Sequence, residues 1–411
     1  MRHVKRVSGF LSLPALSLLA SLVLLPLISR RFGPSGWVAL ALGQSIGAVV
    51  SVVVGMAWPV IGGNLIARAA TTEEKKEIFR VGACSRIIVL SVLLSAAIPL
   101  TVALAQSYPW VTAFFMIGVS LNGLSAGWYF EGLGEPKQLI VNEGLVRSAG
   151  YVVALAGLML GASLAWYGAV MIAVGLLMFS LNRWTVMRGS RLWLPGSGKL
   201  ALRTIQQQSS GTLSRVIQAA FGYGGPMIFS LLAPLQLPLY SALDQVQKAG
   251  SNSLNPLPSA FVSWVGSASP IERPRRMRNS IVFIVTVCIV VVMAWIPLGP
   301  VIIGFLFANN FTMSMAGSLI LILAIVAVLI CRSLQLLILV PLGRAQLVFA
   351  SNSATSIVGI ILVMIGALTF GALGGIGAWA LSYGALSCFY CIVAVRSLRK
   401  SPRIAAAVRS V

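Results

Sequence analysis

Long apolar runs, interrupted by short clusters of charge, Gly and Pro, occupy almost the whole chain. They predict membrane-spanning helices near residues 8–29, 37–62, 81–104, 110–130, 138–160 and 166–182, and again near 209–232, 239–264, 280–296, 313–335, 345–369 and 375–396. The eighth of these is unusually polar. Residues 8–29 follow a basic start as a signal peptide would, but the run is too long for an h-region and lacks a small-x-small cleavage site, so it reads as the first span.

Composition supports lipid as the main solvent: 58% of the 411 residues are hydrophobic and 9% charged, where a soluble domain carries roughly 25%. A span takes about 20 residues, so about twelve leave no room for a separate soluble domain. The fold class is an all-α polytopic membrane protein.

The distribution of Lys and Arg predicts its orientation, because short cytoplasmic loops retain positive charge during insertion. One set of alternate segments carries Arg2, Lys5 and Arg6; Arg68, Lys75, Lys76 and Arg80; Lys137; and Arg183, Arg188, Arg191, Lys199 and Arg203. The set continues with Arg273, Arg275, Arg276 and Arg278, with Arg344, and with Arg396, Arg399, Lys400, Arg403 and Arg409. These are assigned to the cytoplasm, with both termini. The opposite loops, 105–109, 161–165, 233–238, 297–311 and 370–374, contain no Lys, Arg, Asp or Glu, and only Arg30 and Arg31 break the pattern. Topology and attraction to anionic headgroups thus account for the formal charge of +22, and no nucleic-acid partner is expected.

An internal repeat is visible. Ala41-Leu42-Gly43-Gln44 matches Ala242-Leu243-Asp244-Gln245, and the turn Leu133-Gly134-Glu135-Pro136-Lys137-Gln138-Leu139-Ile140 matches Leu342-Gly343-Arg344-Ala345-Gln346-Leu347-Val348 with one gap. The matches predict two six-helix lobes, residues 1–203 with a cytoplasmic linker from about 183, and 204–411 with a short basic tail. Because six is even, the lobes are related by a pseudo-two-fold axis along the membrane normal.

The stretches 27–36 (LISRRFGPSG), 239–248 (LYSALDQVQK), 342–346 (LGRAQ) and 371–378 (GALGGIGA) resemble turns of the polysaccharide transporter family. This is the Wzx-type branch of O-antigen and oligosaccharide-lipid flippases in the multidrug/oligosaccharidyl-lipid/polysaccharide exporter superfamily. The resemblance implies a cavity between two lobes that opens alternately to each side. It further implies export of an undecaprenyl-pyrophosphate-linked oligosaccharide from the cytoplasmic to the outer leaflet of a bacterial inner membrane. Implied partners are membrane lipids and the polysaccharide polymerase and glycosyltransferases of the same pathway.

Ionisable groups inside apolar runs are the candidate site residues, since each costs about 2.5–3.5 kcal/mol at a helix centre. Arg86, Arg147, Arg215 and Arg332 either snorkel to headgroups or together line a vestibule that attracts a pyrophosphate, for which guanidinium groups are suited by bidentate bonding. Arg30, Arg31 and Lys248 complete the candidate anion contacts. Glu143 with Arg147, and Asp244 with Lys248, stand four apart and read either as structural pairs or as parts of the site. Asp244 is the candidate for proton or cation coupling. Gly222, Gly224, Gly225, Pro226, Pro256 and Pro258 mark either a gate or a packed kink. Trp128, Tyr129, Trp166, Tyr167, Trp193, Trp264 and Trp295 read as interfacial aromatics rather than sugar platforms.

No nucleophile with a base, phosphate-binding glycine loop or Cys/His cluster appears, the single histidine being His3, so neither enzyme chemistry nor a cofactor is expected. The five cysteines read as reduced packing residues. Two other functions stay open: a drug/cation antiporter of the same superfamily, and a membrane polysaccharide polymerase or ligase. The first needs acids in the first lobe, yet spans one and two have none; the second needs a sizeable outer loop.

Overall fold

In lipid every backbone N–H and C=O must find a partner within the protein, which favours uninterrupted helices wherever the sequence is apolar. The computed structural model follows that rule, with no strand among the described residues. It describes residues 2–266, 268–269, 271–308 and 313–399, and side chains from residue 24 onward apart from 136, 210, 211, 263, 398 and 399. The side chains of Arg2, His3, Lys5 and Arg6, residues 309–311 of an uncharged loop, and Lys400, Arg403 and Arg409 of the tail lie outside the described residues.

By contact the chain divides into two compact units, residues 1–231 and 232–411. Residues 204–231, expected in the second lobe, group by contact with the first unit.

The first unit opens with α1 (Arg2–Gly55), two helices merged at Gly33, whose φ of 64° and ψ of −162° only glycine adopts readily. It continues through α2 (Trp58–Arg68), α3 (Thr72–Leu104), α4 (Pro109–Ser120) with a 3-10 turn (Leu121–Leu124), α5 (Gly127–Leu133) and α6 (Pro136–Leu139). A π-helical turn (Ile140–Leu145) leads into α7 (Val146–Met159), followed by α8 (Leu164–Met187), α9 (Ser197–Tyr223) and α10 (Gly225–Leu232). Thr71 caps α3 by accepting from the Glu74 amide at 3.1 Å, and Glu73 and Glu74 in the first turn complement the helix dipole.

Glycines set how closely these helices approach. A Cβ on Gly43 would lie 2.4 Å from the Thr112 carbonyl oxygen of α4, and one on Gly62 would lie 2.3 Å from the Trp128 ring. Trp58, Phe79, Trp128, Tyr129, Phe130, Met187 and Leu192 form the buried cluster at the end of the unit where α3 begins.

The second unit comprises α11 (Leu237–Leu254), α12 (Pro256–Gly266), α13 (Arg273–Leu306), α14 (Met315–Leu334) with a π-helical turn (Gln335–Leu339), and α15 (Ala345–Arg399). α13 is apolar nearly all round and leaves Val282, Ile289, Val290, Val301 and Phe305 exposed, as a lipid-facing helix does. Its Trp295 donates to the Ser318 carbonyl oxygen at 3.1 Å and so ties α13 to α14. Gln335 donates to the Asn352 side chain at 3.0 Å, and Ser351 bonds the Tyr390 hydroxyl at 2.8 Å, which satisfies a small polar core.

Eight segments of the described residues are long and apolar enough to cross a membrane. Two of the uncharged connections differ from expectation. Residues 370–374, predicted as a loop, are helical within α15 apart from a kink at Gly371 (φ 61°, ψ −142°), so 345–369 and 375–396 form one merged element. α13 continues through Pro297 and Pro300 to Leu306, into the predicted loop 297–311. α9 and α11, predicted as the cores of spans seven and eight, fall outside the eight because of their polarity.

Candidate functional site

Two of the interruptions within spans of the first unit define its polar interior. One lies between α1 and α2 at Met56, which takes a positive φ of 49°. The other lies between the 3-10 turn and α5 at Ser125 and Ala126. Each frees backbone groups that lipid cannot satisfy.

At the first break, Arg215 of α9 donates to the Met56 carbonyl oxygen, and the Gln208 side-chain oxygen accepts from the Ala57 amide at 3.1 Å. At the second, Arg86 of α3, only 1% exposed, donates to the carbonyl oxygens of Gly123 at 3.2 Å and Ser125 at 2.7 Å, and to Gly82 of its own helix at 2.8 Å. Its guanidinium carbon lies 5.5 Å from the centre of the Trp128 ring. Glu143, in the π-helical turn, takes the freed N–H: its Oε1 accepts from the Ala126 amide at 2.9 Å, and the carboxylate also accepts from the Ser125 hydroxyl. Asn182 of α8 donates to the same Oε1 at 2.8 Å, and Asn142 donates to Asn182 and Thr185.

The two breaks therefore share one solution, in which a guanidinium satisfies the freed carbonyl and a side-chain oxygen satisfies the freed amide. Arg147 joins at the second break by donating to the Asn122 side-chain oxygen at 3.0 Å. The expected Glu143–Arg147 pair is absent from the ion pairs of the described residues, each residue having turned to its own partner. The Asp244–Lys248 pair is present, with Nζ–Oδ2 at 2.6 Å and Asp244 buried in α11.

The remaining candidates are dispersed. Arg31 donates to the carbonyl oxygens of Leu158, at 2.5 Å, and Gly161, where α7 ends, so it caps a helix C-terminus with a cation. Arg30 is exposed beside it, and Arg332 is exposed in the last turn of α14. Within the first unit, Arg86 and Arg147 gather around residues 122–125, Arg215 serves the neighbouring break, and Arg30 and Arg31 lie elsewhere.

Trp128, Tyr129 and Tyr167 are buried, which overturns the interfacial reading for those three; Trp166, Trp193 and Trp264 are exposed as that reading requires. Cys84, Cys288 and Cys331 are buried free thiols, whereas Cys388 and Cys391 are exposed rather than packed. Gln208, Asn122, Asn142 and Asn182 were not singled out in the sequence, although uncharged amides in or beside apolar runs would have marked them.

The two repeated turns adopt the same geometry. Glu135 N donates to Phe130 O and Gly134 N to Glu131 O; Arg344 N donates to Leu339 O and Gly343 N to Val340 O. Gly134 and Gly343 both take the left-handed conformation, at φ 70° and 75°.

An all-helical, polytopic membrane protein with interrupted spans is thus defined by the fold. No family model matches the sequence. No curated protein matches it. Among solved structures the chain is similar to an inward-facing multidrug resistance MATE family transporter of the MOP superfamily, with TM-score 0.69 and 14% identity over 98% of this chain and 99% of that one. It is similar to a eukaryotic MATE transporter, with TM-score 0.64 and 14% identity over 99% and 98%. It is also similar to the lipid II flippase MurJ in an inward closed conformation, with TM-score 0.60 and 14% identity over 94% and 86%. At that identity the likeness shows a shared fold.

Proposed function

We propose that this chain is a flippase that carries a lipid-linked oligosaccharide, with undecaprenyl pyrophosphate as the carrier, from the cytoplasmic to the outer leaflet by alternating access. The observation that carries this reading is the fold likeness, which extends over nearly the whole chain and includes a lipid II flippase. The basic excess among the ionisable groups inside the spans suits an anionic pyrophosphate better than a cationic drug.

The reading takes twelve spans in two six-helix lobes. Both arms of α1 at Gly33 and of α15 at Gly371 count as spans, as do α9 with α10 and α11 with α12. The shared turn geometry at 134 and 343 supports the duplication, with the lobe boundary in the basic linker near 203. Both termini lie on the Lys- and Arg-rich side of a bacterial inner membrane, and the cargo comes from glycosyltransferases and passes to a polymerase.

Among the candidate anion contacts, Arg147, Arg215, Lys248 and Arg332 are the ones this reading favours, because each is at least partly exposed and Arg147 and Arg215 keep donors beyond those given to Asn122 and Met56. Arg86, buried and committed to backbone carbonyls, and Arg31, committed to the end of α7, are assigned a supporting part, and Arg30, which is exposed, stays among the candidate contacts.

The test is a deletion strain analysed for lipid-linked glycans by leaflet. Accumulation of the intermediate on the cytoplasmic side supports the reading; normal surface polysaccharide without accumulation refutes it. A second reading, a cation-coupled drug antiporter with Asp244 as the coupling group, is favoured by the MATE neighbours and by the burial of Asp244. It predicts sensitivity to cationic drugs in the same strain.

A further inference from the structure

The connection from α8 to α9, with the helix turns that flank it, interleaves cations with exposed apolar groups, an arrangement beyond the Lys and Arg excess that topology explains. Residues 183–203 carry Arg183, Arg188, Arg191, Lys199 and Arg203 and no acid, and all five cations are exposed. Between them stand exposed large apolar side chains: Trp184 at 74%, Trp193 at 48%, and Leu194, Leu200 and Leu202. A solvated loop would not present two tryptophans and three leucines to water.

The segment is also held down. Leu192 and Ala201 are buried in the aromatic cluster of the first unit. Arg80 of α3 donates to the Arg191 carbonyl oxygen at 3.2 Å, the Cys84 thiol donates to the Leu192 carbonyl oxygen at 3.5 Å, and the Ser197 hydroxyl accepts from the Leu194 amide at 3.1 Å. Arg188, Gly189 and Gly196 take positive φ, which folds residues 188–196, between the last turn of α8 and the first turns of α9, into a fixed non-helical path. Its outward side is thus a set surface on which cations alternate with apolar groups, directly beyond the end of a membrane-spanning helix.

From this arrangement we infer that residues 183–203 form a docking strap for anionic phospholipid headgroups. Trp184, Trp193 and the leucines enter the headgroup–acyl boundary, and the five cations engage the phosphodiesters. Charge complementarity selects the occupant: an apolar surface alone would accept any lipid, and cations alone any polyanion, but the interleaved pattern fits a negatively charged lipid surface. The inference is independent of the transported solute.

The test uses the purified full-length chain and two probes with the same acyl chains, phosphatidylglycerol and phosphatidylcholine, counted as retained molecules by native mass spectrometry. Wild type should retain phosphatidylglycerol over phosphatidylcholine, and the preference should fall as salt is raised from low to high concentration. The variant Arg188→Gln/Lys199→Gln should lose roughly tenfold in phosphatidylglycerol retention, the effect of between one and two interfacial cation contacts. The matched variant Arg275→Gln/Arg278→Gln, which removes two exposed cations of α13 with no exposed tryptophan between them, should lose clearly less. Equal loss in both variants, no loss in the first, or a salt-insensitive preference in wild type overturns the inference. The salt series on wild type stands even if a variant fails to accumulate.

Discussion

Arg86→Met removes the guanidinium that serves the second break and leaves shape and apolar contact largely in place. Two carbonyls from outside its own helix, those of Gly123 and Ser125, lose a buried donor. Each unsatisfied buried acceptor costs about 1–3 kcal/mol. Glu143, also buried, keeps its bonds to Ser125, Ala126 and Asn182 but loses a nearby positive charge. Two such acceptors, together with the weaker loss at Glu143, set the expected destabilisation at about 3–5 kcal/mol. At ~2 °C per kcal/mol for a large chain, the apparent Tm in detergent, followed by tryptophan fluorescence, should fall by roughly 6–10 °C. Arg86→Lys should recover little, because a single ammonium cannot fork between three carbonyls as the guanidinium does. Adding Glu143→Gln to Arg86→Met should cost less than the two single changes added together, since the double variant leaves no uncompensated charge. Arg147→Met, which gives up one bond to a neutral amide, should cost about 1 kcal/mol. A Tm for Arg86→Met as close to wild type as that of Arg147→Met, or strict additivity with Glu143→Gln, would refute the reasoning.

Other perturbations follow from the same geometry. Lys248→Met leaves Asp244 buried and without its 2.6 Å partner, so it should destabilise by about 3–5 kcal/mol, while Asp244→Asn/Lys248→Met should return most of that in the same melting assay. Gly62→Ala puts a Cβ 2.3 Å from the Trp128 ring and should cost about 1–3 kcal/mol, with a change in tryptophan emission as the ring shifts. Gly371→Ala must adopt a φ near 61° beside the Gln236 side chain and should lower the Tm by the equivalent of about 1–3 kcal/mol.

The helical, polytopic character of the chain was legible because long apolar runs have one economical solution in lipid, and the turn at Gly134 was legible at Gly343 because both need a left-handed residue. The breaks were harder to read. The run 37–62 was taken as one helix although Pro59 stands inside it; the proline begins α2, and the interruption falls just before it at Met56 and Ala57. The run 110–130 contains no internal proline, and the break is marked only by Asn122, Gly123, Ser125 and Gly127, four polar or small positions close together in an apolar stretch. Without the breaks, an arginine in an apolar run has two visible fates, to snorkel or to bind a solute. Arg86 has a third, as donor to backbone that its own helix does not contain. Arg31 was anomalous by charge alone and becomes intelligible as the cap on α7, a partner far away in sequence.

Transport of a lipid-linked saccharide is tested most directly with the purified chain in proteoliposomes that hold a fluorescent undecaprenyl-pyrophosphate oligosaccharide in both leaflets. An impermeant enzyme that cleaves the headgroup reports how much of the pool reaches the outer face. Cleavage should advance from the outer-leaflet share to nearly the whole pool in vesicles that contain the chain, and more slowly with Lys248→Glu. Cleavage that stops at the outer-leaflet share, in vesicles where the same protein moves a cationic dye, would contradict the account.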